Sequence, residues 1–362
     1  MKRKIYLAII ILMLGVISCT DLMYLGLNNI DKKLYPIYTE ADLLAIDDSP
    51  ELLSRSYILM NDIDLEDDSV NFQTIGTGDT GTETKVFTGK FYGNGKTISD
   101  LRNEYGFFYK ISGGLVKDLT ISIGTDLTVN VSDRGVLARF AEKSTIKNCS
   151  VGGSLISGLS RVGGLVGFLD NSTVENCSSS VNVRGNSTNI GGLVGRAEKS
   201  TINNSFATGD VRGYSNVGGL VGFAVGIEDD YCEINYSYHT VGSLILDGSG
   251  SSVGGLIGNL NEYSSVRYSF SASVVDTTGG GFIGINMSGL ANSDCYWDTT
   301  ILTPGGGVGD GTGDDTGIEG MSTVFMKDAS RYTNWNFSSI WAIDGTTPIN
   351  SGYPYLRSNP PQ

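Results

Sequence analysis

Gly163-Gly164-Leu165-Val166-Gly167 recurs downstream as Gly191-Gly192-Leu193-Val194-Gly195, Gly218-Gly219-Leu220-Val221-Gly222, Gly254-Gly255-Leu256-Ile257-Gly258 and Gly280-Gly281-Phe282-Ile283-Gly284. The spacings are 28, 27, 36 and 26 residues. Degenerate copies stand upstream at Gly135-Val136-Leu137-Ala138 and Gly106-Phe107-Phe108. A constant period of about 27 residues is the signature of stacked structural units. The one long spacing calls for an insertion near 226–232 and a second near 247–252.

Working outward, each pentapeptide is followed by a second element. It reads Ser144-Thr145-Ile146-Lys147-Asn148-Cys149, Ser172-Thr173-Val174-Glu175-Asn176-Cys177 and Ser200-Thr201-Ile202-Asn203-Asn204-Ser205, with weaker copies at Ile234-Asn235-Tyr236-Ser237 and Val266-Arg267-Tyr268-Ser269. A third element alternates: Cys177, Ser179, Val181 and Val183 share one parity, as do Ser205, Ala207, Gly209 and Val211. Small or apolar groups on one parity and polar groups on the other mark strands with one buried face. The step from Ile146 to Cys149 is odd, so a corner must lie between them. Asn148 and Asn176 suit it, because asparagine tolerates left-handed backbone angles.

Three short strands per repeat can satisfy their backbone only by pairing with neighbouring repeats, so each repeat becomes one coil of a solenoid. The inward residues are then expected to stack as Leu165, Leu193, Leu220, Leu256 and Phe282, and as Ile146, Val174, Ile202, Ile234 and Val266. The fold class expected is all-β, a parallel β-helix. Seven coils between Gly106 and Trp297 would span roughly 30–35 Å at the usual inter-strand rise. The recurrent glycines, Gly163, Gly164 and Gly167 and their equivalents, are expected to be structural corners whose unusual dihedrals glycine supplies without steric cost. Glycine is 50 of 362 residues and proline only 7, which fits repeated corners rather than a flexible linker.

The Gly-Gly-Leu-Val-Gly unit at this period resembles the GLUG-motif repeat of bacterial surface proteins, which also occurs beside the protease domain of some immunoglobulin A1 metallopeptidases. The resemblance extends over about 37–357. It takes in Tyr57-Ile58-Leu59-Met60-Asn61-Asp62-Ile63-Asp64-Leu65 and Phe87-Thr88-Gly89-Lys90-Phe91-Tyr92-Gly93-Asn94-Gly95 upstream, and Cys295-Tyr296-Trp297-Asp298 and Gly352-Tyr353-Pro354-Tyr355-Leu356 downstream. It implies a right-handed β-helix with an adhesin-like or structural role. The chain departs from the pattern at 135–138 and in the insertion after Gly222, so those coils are expected to be irregular.

A solenoid must cover both open ends. Thr39 followed by Glu40, Ala41 and Asp42 reads as a capped helix start, and Ser49-Pro50-Glu51-Leu52-Leu53 as a second helical turn. Together they form an N-terminal cap. Helical potential at 322–330 and the aromatics Trp335, Phe337, Trp341, Tyr353 and Tyr355 are read as a short aromatic C-terminal cap plugging the other end.

The chain opens Met1-Lys2-Arg3-Lys4, continues with an apolar run from Ile5 to Ile17, and reaches Ser18-Cys19. The run is too short to span a bilayer but fits an export signal. The small residue before the cysteine resembles a lipobox, which implies lipidation (palmitate-type acylation) at Cys19. Two or more acyl chains would anchor the body stably. The organisation expected is a signal peptide at 1–18, a lipidated tether at 19–36, the N-terminal cap and first coils at 37–105, the repeat β-helix at 106–297, and an acidic glycine-rich loop with the C-terminal cap at 298–362. The protein is expected to be exported and held at the outer membrane or cell surface. Removal of 1–18 takes three basic residues and moves the formal charge from -14 to about -17. So acidic a body excludes nucleic acid and charge-driven docking on anionic lipid.

Catalytic motifs are sparse. His239 is the one histidine, outside any His-Glu-x-x-His context, and shares the inward slot of Ala207 and Ser179. Cys149 and Cys177 occupy equivalent slots on adjacent coils, where in-register side chains suit a disulfide dihedral poorly, so free buried thiols are expected. Cys232 and Cys295 show no evident partner. The segment from Gly305 to Asp315 lacks the calcium nonapeptide spacing, since Gly311 stands where an aspartate is required, and it reads as a loop. Asp62 and Asp64 alternate in a strand with Ile63 and Leu65 and suit a solvated strand face or a turn-bonding role. No metal or cofactor is expected. The function expected is a non-catalytic binding or structural module, adhesin-like, with the membrane as one partner through Cys19 and a glycan or host or cell-surface protein as the other. The alternative is a β-helical carbohydrate-active enzyme (polysaccharide lyase or hydrolase), which needs acidic side chains converging from adjacent coils. A passive stalk fits poorly with a short, capped body.

Overall fold

Short β-compatible runs separated by polar corners leave each coil dependent on its neighbours, and the chain solves this by stacking. The computed structural model describes residues 34–65, 72–76, 85–247, 250–275, 279–301, 306–309, 314–344 and 349–361. Cys19, the expected signal segment and most of the expected tether lie outside the described residues, as does much of the glycine-rich loop.

The strands of the coils pair in parallel, each with the strand one repeat away, in three walls, and one antiparallel pair, Trp341–Ala342 with Tyr355–Leu356, stands apart in the C-terminal segment. One wall is a seven-stranded sheet including Val166–Asp170, Val194–Glu198 and Val221–Val225. The second is a four-stranded sheet of Val162–Gly163, Thr188–Gly191, Ser215–Gly218 and Val253–Gly254. A 21-stranded sheet supplies the rest, bending at each coil through strands such as Thr173–Glu175, Ser178–Ser179 and Asn182–Gly185. The result is a parallel β-solenoid. The expected ladders are in register: Val174 lies between Ile146 and Ile202, followed by Ile234 and Val266, all buried. Leu165 N–H donates to Leu193 O, Leu193 to Leu220 O, Leu220 to Leu256 O and Leu256 to Phe282 O, each at 2.8–2.9 Å. One continuous interior runs from Ile37 to Trp297.

The corners are left-handed, but asparagine and other side-chain-bearing residues take them. Asp118, Asn148, Asn176, Asn204, Tyr236, Tyr268 and Asp294 form one corner column with φ between 48° and 57°. Lys143, Asn171 and Lys199 form a second, and Asp133, Arg161, Asn189, Asn216 and Ser252 a third.

The recurrent glycines are therefore needed for a different reason from the one expected. None of the fifteen in the five pentapeptides has positive φ. Space is what they lack, and it is taken by backbone. A Cβ on the first glycine of each unit, Gly163, Gly191, Gly218, Gly254 or Gly280, would sit within 3.0 Å of the carbonyl oxygen three residues on. On Gly164, Gly192, Gly219 or Gly255 it would meet the carbonyl oxygen of the equivalent glycine in the next coil, and on Gly281 it would meet the Trp297 ring. On Gly167, Gly195, Gly222 or Gly258 it would strike the left-handed corner of a preceding coil, and on Gly284 the Gly258 carbonyl and Val253 backbone.

The N-terminal end closes as expected. Thr39 caps Glu40–Leu44 with a full capping box, and Ser49 caps Pro50–Leu53. Leu43, Ile46 and Leu53 from these turns enter the interior. At the other end the placement differs from a plug. The interior is closed by Trp297, with Val308 and Ile318 packed beside it. Trp335, Trp341, Tyr353 and Leu356 instead lie along the flank and build a second, separate core against Phe206, Tyr238, Phe270 and Tyr296. Those four occupy one outward slot on successive coils. Phe206, Tyr238 and Phe270 stack face to face at 4.9–5.0 Å. An outward aromatic column of that length needs a cover more than the end does, and the C-terminal segment is that cover. Among the described residues no helix is long and apolar enough to cross a membrane.

Candidate functional site

The aromatic column is continued toward the N-terminus by hydroxyl groups. One residue past each Cys149-type position come Thr120, Ser150 and Ser178, in register with Phe206. Two residues further along the same strands lie Ser122, Gly152, Ser180 and Thr208. The C-terminal segment covers the aromatic coils and ends beside the hydroxyl coils, so a groove is left between them.

Its floor is this Ser/Thr surface, with Thr120 and Ser150 hydroxyls 3.2 Å apart. One rim is the left-handed corner column, where Asn148 Nδ2 donates to Asp118 Oδ1 at 2.7 Å and Asn176 Nδ2 to Asn148 Oδ1 at 3.2 Å. The opposite wall is the chain's own tail, Ser358, Asn359, Pro360 and Pro361, and Phe206, Val241, Asn350 and Ser351 close the far end. The cavity is about 650 Å³, and none of the described residues lining it is charged.

The tail is firmly held. Ser358 Oγ donates to Asn176 Oδ1 at 3.1 Å, and Asn359 Nδ2 donates to Cys177 O at 3.1 Å. Behind it, buried Asp298 accepts the Tyr353 and Thr323 hydroxyls, both at 2.7 Å. Burial, with the Asp298 carboxylate beside it, holds the Tyr353 hydroxyl well above its usual range. Thr240 Oγ1 donates to Asn350 Oδ1 at 2.7 Å, and Asn350 Nδ2 to Pro354 O at 2.6 Å.

Residues 158–184 and 186–212, two adjacent coils that carry part of this floor, each match the GLUG motif. These are GLUG coils. A solved structure from Bacteroides ovatus, named as a putative immunoglobulin A1 protease, superposes with a TM-score of 0.59 at 20% identity, covering 91% of this chain and 94% of its own. At that identity the likeness is one of fold. A second, named IgA1 Protease, gives 0.46 at 18% identity over 79% of this chain and 21% of its own. No curated protein matches this chain.

The stacked coils also account for the cysteines. Cys149, Cys177, Ser205, Ser237, Ser269 and Cys295 form one column. In it Cys177 N–H donates to Ser205 Oγ at 3.1 Å, and Ser237 N–H donates to Ser269 Oγ at 3.1 Å. Each hydroxyl or thiol in turn donates to the carbonyl two residues back, as Ser205 Oγ does to Asn203 O at 2.7 Å and Cys295 Sγ to Ser293 O at 3.3 Å. Cys232 stands in the parallel column of Ser144, Ser172, Ser200 and Ser264. The four described cysteines are free and buried. Burial pushes the Cys232 and Cys295 thiols up to about 12, so they are braces and not nucleophiles. Sequence reasoning missed this, although the Ser-for-Cys exchange at a fixed repeat position was visible.

His239 points inward as expected, between Ala207 and Ser271 and fully buried. Its Nε2 donates to Gly209 O at 3.0 Å, since a carbonyl only accepts, which leaves Nδ1 of the neutral ring to accept from Ser273 Oγ at 2.5 Å. Burial lowers its pKa from 6.5 to about 4. The unfolded chain therefore takes up a proton first as pH falls, so stability is complete above pH 6.5 and is lost down to about pH 4. Against His239→Gln, the wild type is expected to lose about 3 kcal/mol more across that window. Urea denaturation at stepped pH measures the difference, and parallel curves would remove the effect.

Of the other candidates, Asp62 Oδ1 accepts from Thr97 N–H at 2.8 Å, a bond to the strand Lys90–Ser99 of the next coil and not to its own turn. Among the described residues no group of His, Cys, Asp and Glu is arranged to hold a metal. Arg134 was not singled out from sequence. It takes the inward column otherwise filled by Val162, Ile190, Val217 and Val253. There its guanidinium donates to Ser157 O and Asn103 O, and burial lowers its pKa to about 10.

Proposed function

We propose that this chain is a surface-displayed lipoprotein whose GLUG solenoid serves as a non-catalytic, adhesin-like binding module, with the flank groove as its contact surface. The uncharged lining of that groove carries the reading. General acid–base or nucleophilic chemistry needs titratable side chains within hydrogen-bond reach of the substrate, whereas a ladder of hydroxyls and amides orients a ligand without reacting with it. The protease name belongs to the Bacteroides protein, and a shared fold does not transfer an activity.

Display rests on the order of features at the N-terminus: a basic start, a short apolar run, Ser18 and Cys19. Cys19→Ala is expected to shift the protein from the membrane fraction to the soluble or medium fraction, read by fractionation and immunoblotting. Retention of the variant on membranes would remove the lipid anchor from this reading. An assay of polysaccharide depolymerisation and immunoglobulin A1 cleavage with the full chain tests the rest. Turnover of either substrate overturns the non-catalytic assignment.

A further inference from the structure

We infer that the flank groove takes an extended, uncharged glycan strand, laid along the solenoid axis across the coils of Thr120, Ser150 and Ser178. This rests on the binding-module reading above and names its ligand class.

Four features of the groove argue for it. The first is electrostatic. The chain carries a formal charge of -14, yet no described residue of this lining is charged. An acidic polymer would meet no cation in this lining, and the one carboxylate at the rim, Asp118, is already bonded to Asn148 and paired with Lys117, so complementarity selects a neutral partner. The second is size: about 650 Å³ is ligand-pocket scale.

The third is the form of the polar groups. Hydroxyls repeat with each coil at about 4.8 Å, close to the length of one pyranose unit, and every one can donate and accept. The Pro360 and Pro361 rings on the opposite wall offer apolar faces to the C–H surfaces of sugar rings. The tail itself shows what the rim accepts, since it docks there through one hydroxyl and one amide N–H.

The fourth feature argues against an extended peptide. A peptide gains its affinity by pairing with an open strand edge. The floor strand Ser150–Gly153 is already paired on both sides, with Leu115–Ile123 and with Ser178–Ser179. Only side-chain hydroxyls and amides remain free to bind, and those suit a polyol.

The test uses the full chain in detergent, on an array of uncharged polysaccharides (glucan, mannan and chitin-type oligosaccharides), acidic polysaccharides and extracellular proteins. Ser150→Trp and Ser178→Trp fill the groove, and Thr173→Trp on the neighbouring wall of the same coil is the control. Retention on at least one uncharged glycan is expected. It should weaken about tenfold in both groove variants, the scale of one or two lost hydrogen bonds, with no change in Thr173→Trp and an unchanged thermal melt in all three. Binding only to acidic polymers or proteins, lost in the groove variants, would overturn the ligand class while leaving the binding module standing. Binding to uncharged glycans untouched by both tryptophans would overturn the groove. No retention on any probe, joined by substrate turnover, would sink both readings together.

Discussion

Gly191→Ala is expected to unfold the solenoid, at a cost of at least about 4 kcal/mol, the range reserved for changes with no way to relax. A single methyl group does this because of what surrounds it. The new Cβ would fall within 3.0 Å of Val194 O, Gly222 N and Leu220 O, three backbone atoms from two coils. Each belongs to a segment tied into the stack. Leu193 N–H and Val194 N–H both donate to Leu220 O, at 2.9 and 3.0 Å. A flexible side chain could swing away, but a ladder carbonyl cannot move without breaking bonds to the next coil. Gly113 supplies the contrast. Its φ is +67°, yet a Cβ there meets nothing within 4 Å. Gly113→Ala should cost only the left-handed strain of about 1–2 kcal/mol. Equilibrium denaturation of both variants separates the two kinds of glycine. A Gly191→Ala protein within about 1 kcal/mol of wild type would show that the coils can spread, and would undo the close-approach account.

That contrast marks where the sequence stops being informative. Recurrence of Gly163, Gly164 and Gly167 at a fixed period reveals a repeated constraint but not its kind, because dihedral freedom and lack of space call for the same residue. Sequence alone points to dihedrals, the commoner of the two demands. Yet the left-handed corners already belonged to Asn148 and Asn176, whose role was legible from the odd step between Ile146 and Cys149. The inward ladders were legible for the same reason: parity survives in every copy. His239 was placed correctly by alignment with Ala207 and Ser179.

The flank groove was not read, although its floor was in view. Residues just past the Cys149-type position run Ser150, Ser178, Phe206, Tyr238, Phe270 and Tyr296. On an outward parity that is a change from hydroxyl to aromatic partway along the stack, and it signals a surface that becomes covered. The aromatic surplus near the C-terminus points, from sequence, to the open end, since an end always needs closing. Trp297, facing Gly281, does that together with Val308 and Ile318 of the short segment stacked past it. The cover and the column it covers lie far apart in sequence, so neither pointed to the other until the coils were stacked.

Removing residues 323–362 is expected to leave the solenoid folded but more strongly self-associating than the intact chain. The interior from Ile37 to Trp297 is a separate cluster from the flank core, so the parallel sheets keep their packing and the far-ultraviolet dichroism of a β protein persists. The flank is what changes. Phe206, Tyr238, Phe270 and Tyr296 are at most 5% exposed in the intact chain. Uncovering them returns large aromatic surfaces to water, at about 2 kcal/mol or more per ring, and a contiguous apolar stripe of that kind drives association. Light scattering after size exclusion should therefore show oligomers, with strong binding of a hydrophobic dye. Trp341→Ala gives a milder version. The indole is fully buried against Tyr238, Phe270 and Trp335, with ring centroids 4.3–6.0 Å apart. Its loss should cost the flank core about 3–5 kcal/mol and raise dye binding without abolishing the β signal. The hydroxyl-lined groove loses its tail wall in the truncation and keeps it, loosened, in Trp341→Ala. A truncated chain that associates no more than the intact one and binds no dye would mean that the aromatic column needs no cover, and the C-terminal segment would then need another reason to lie there.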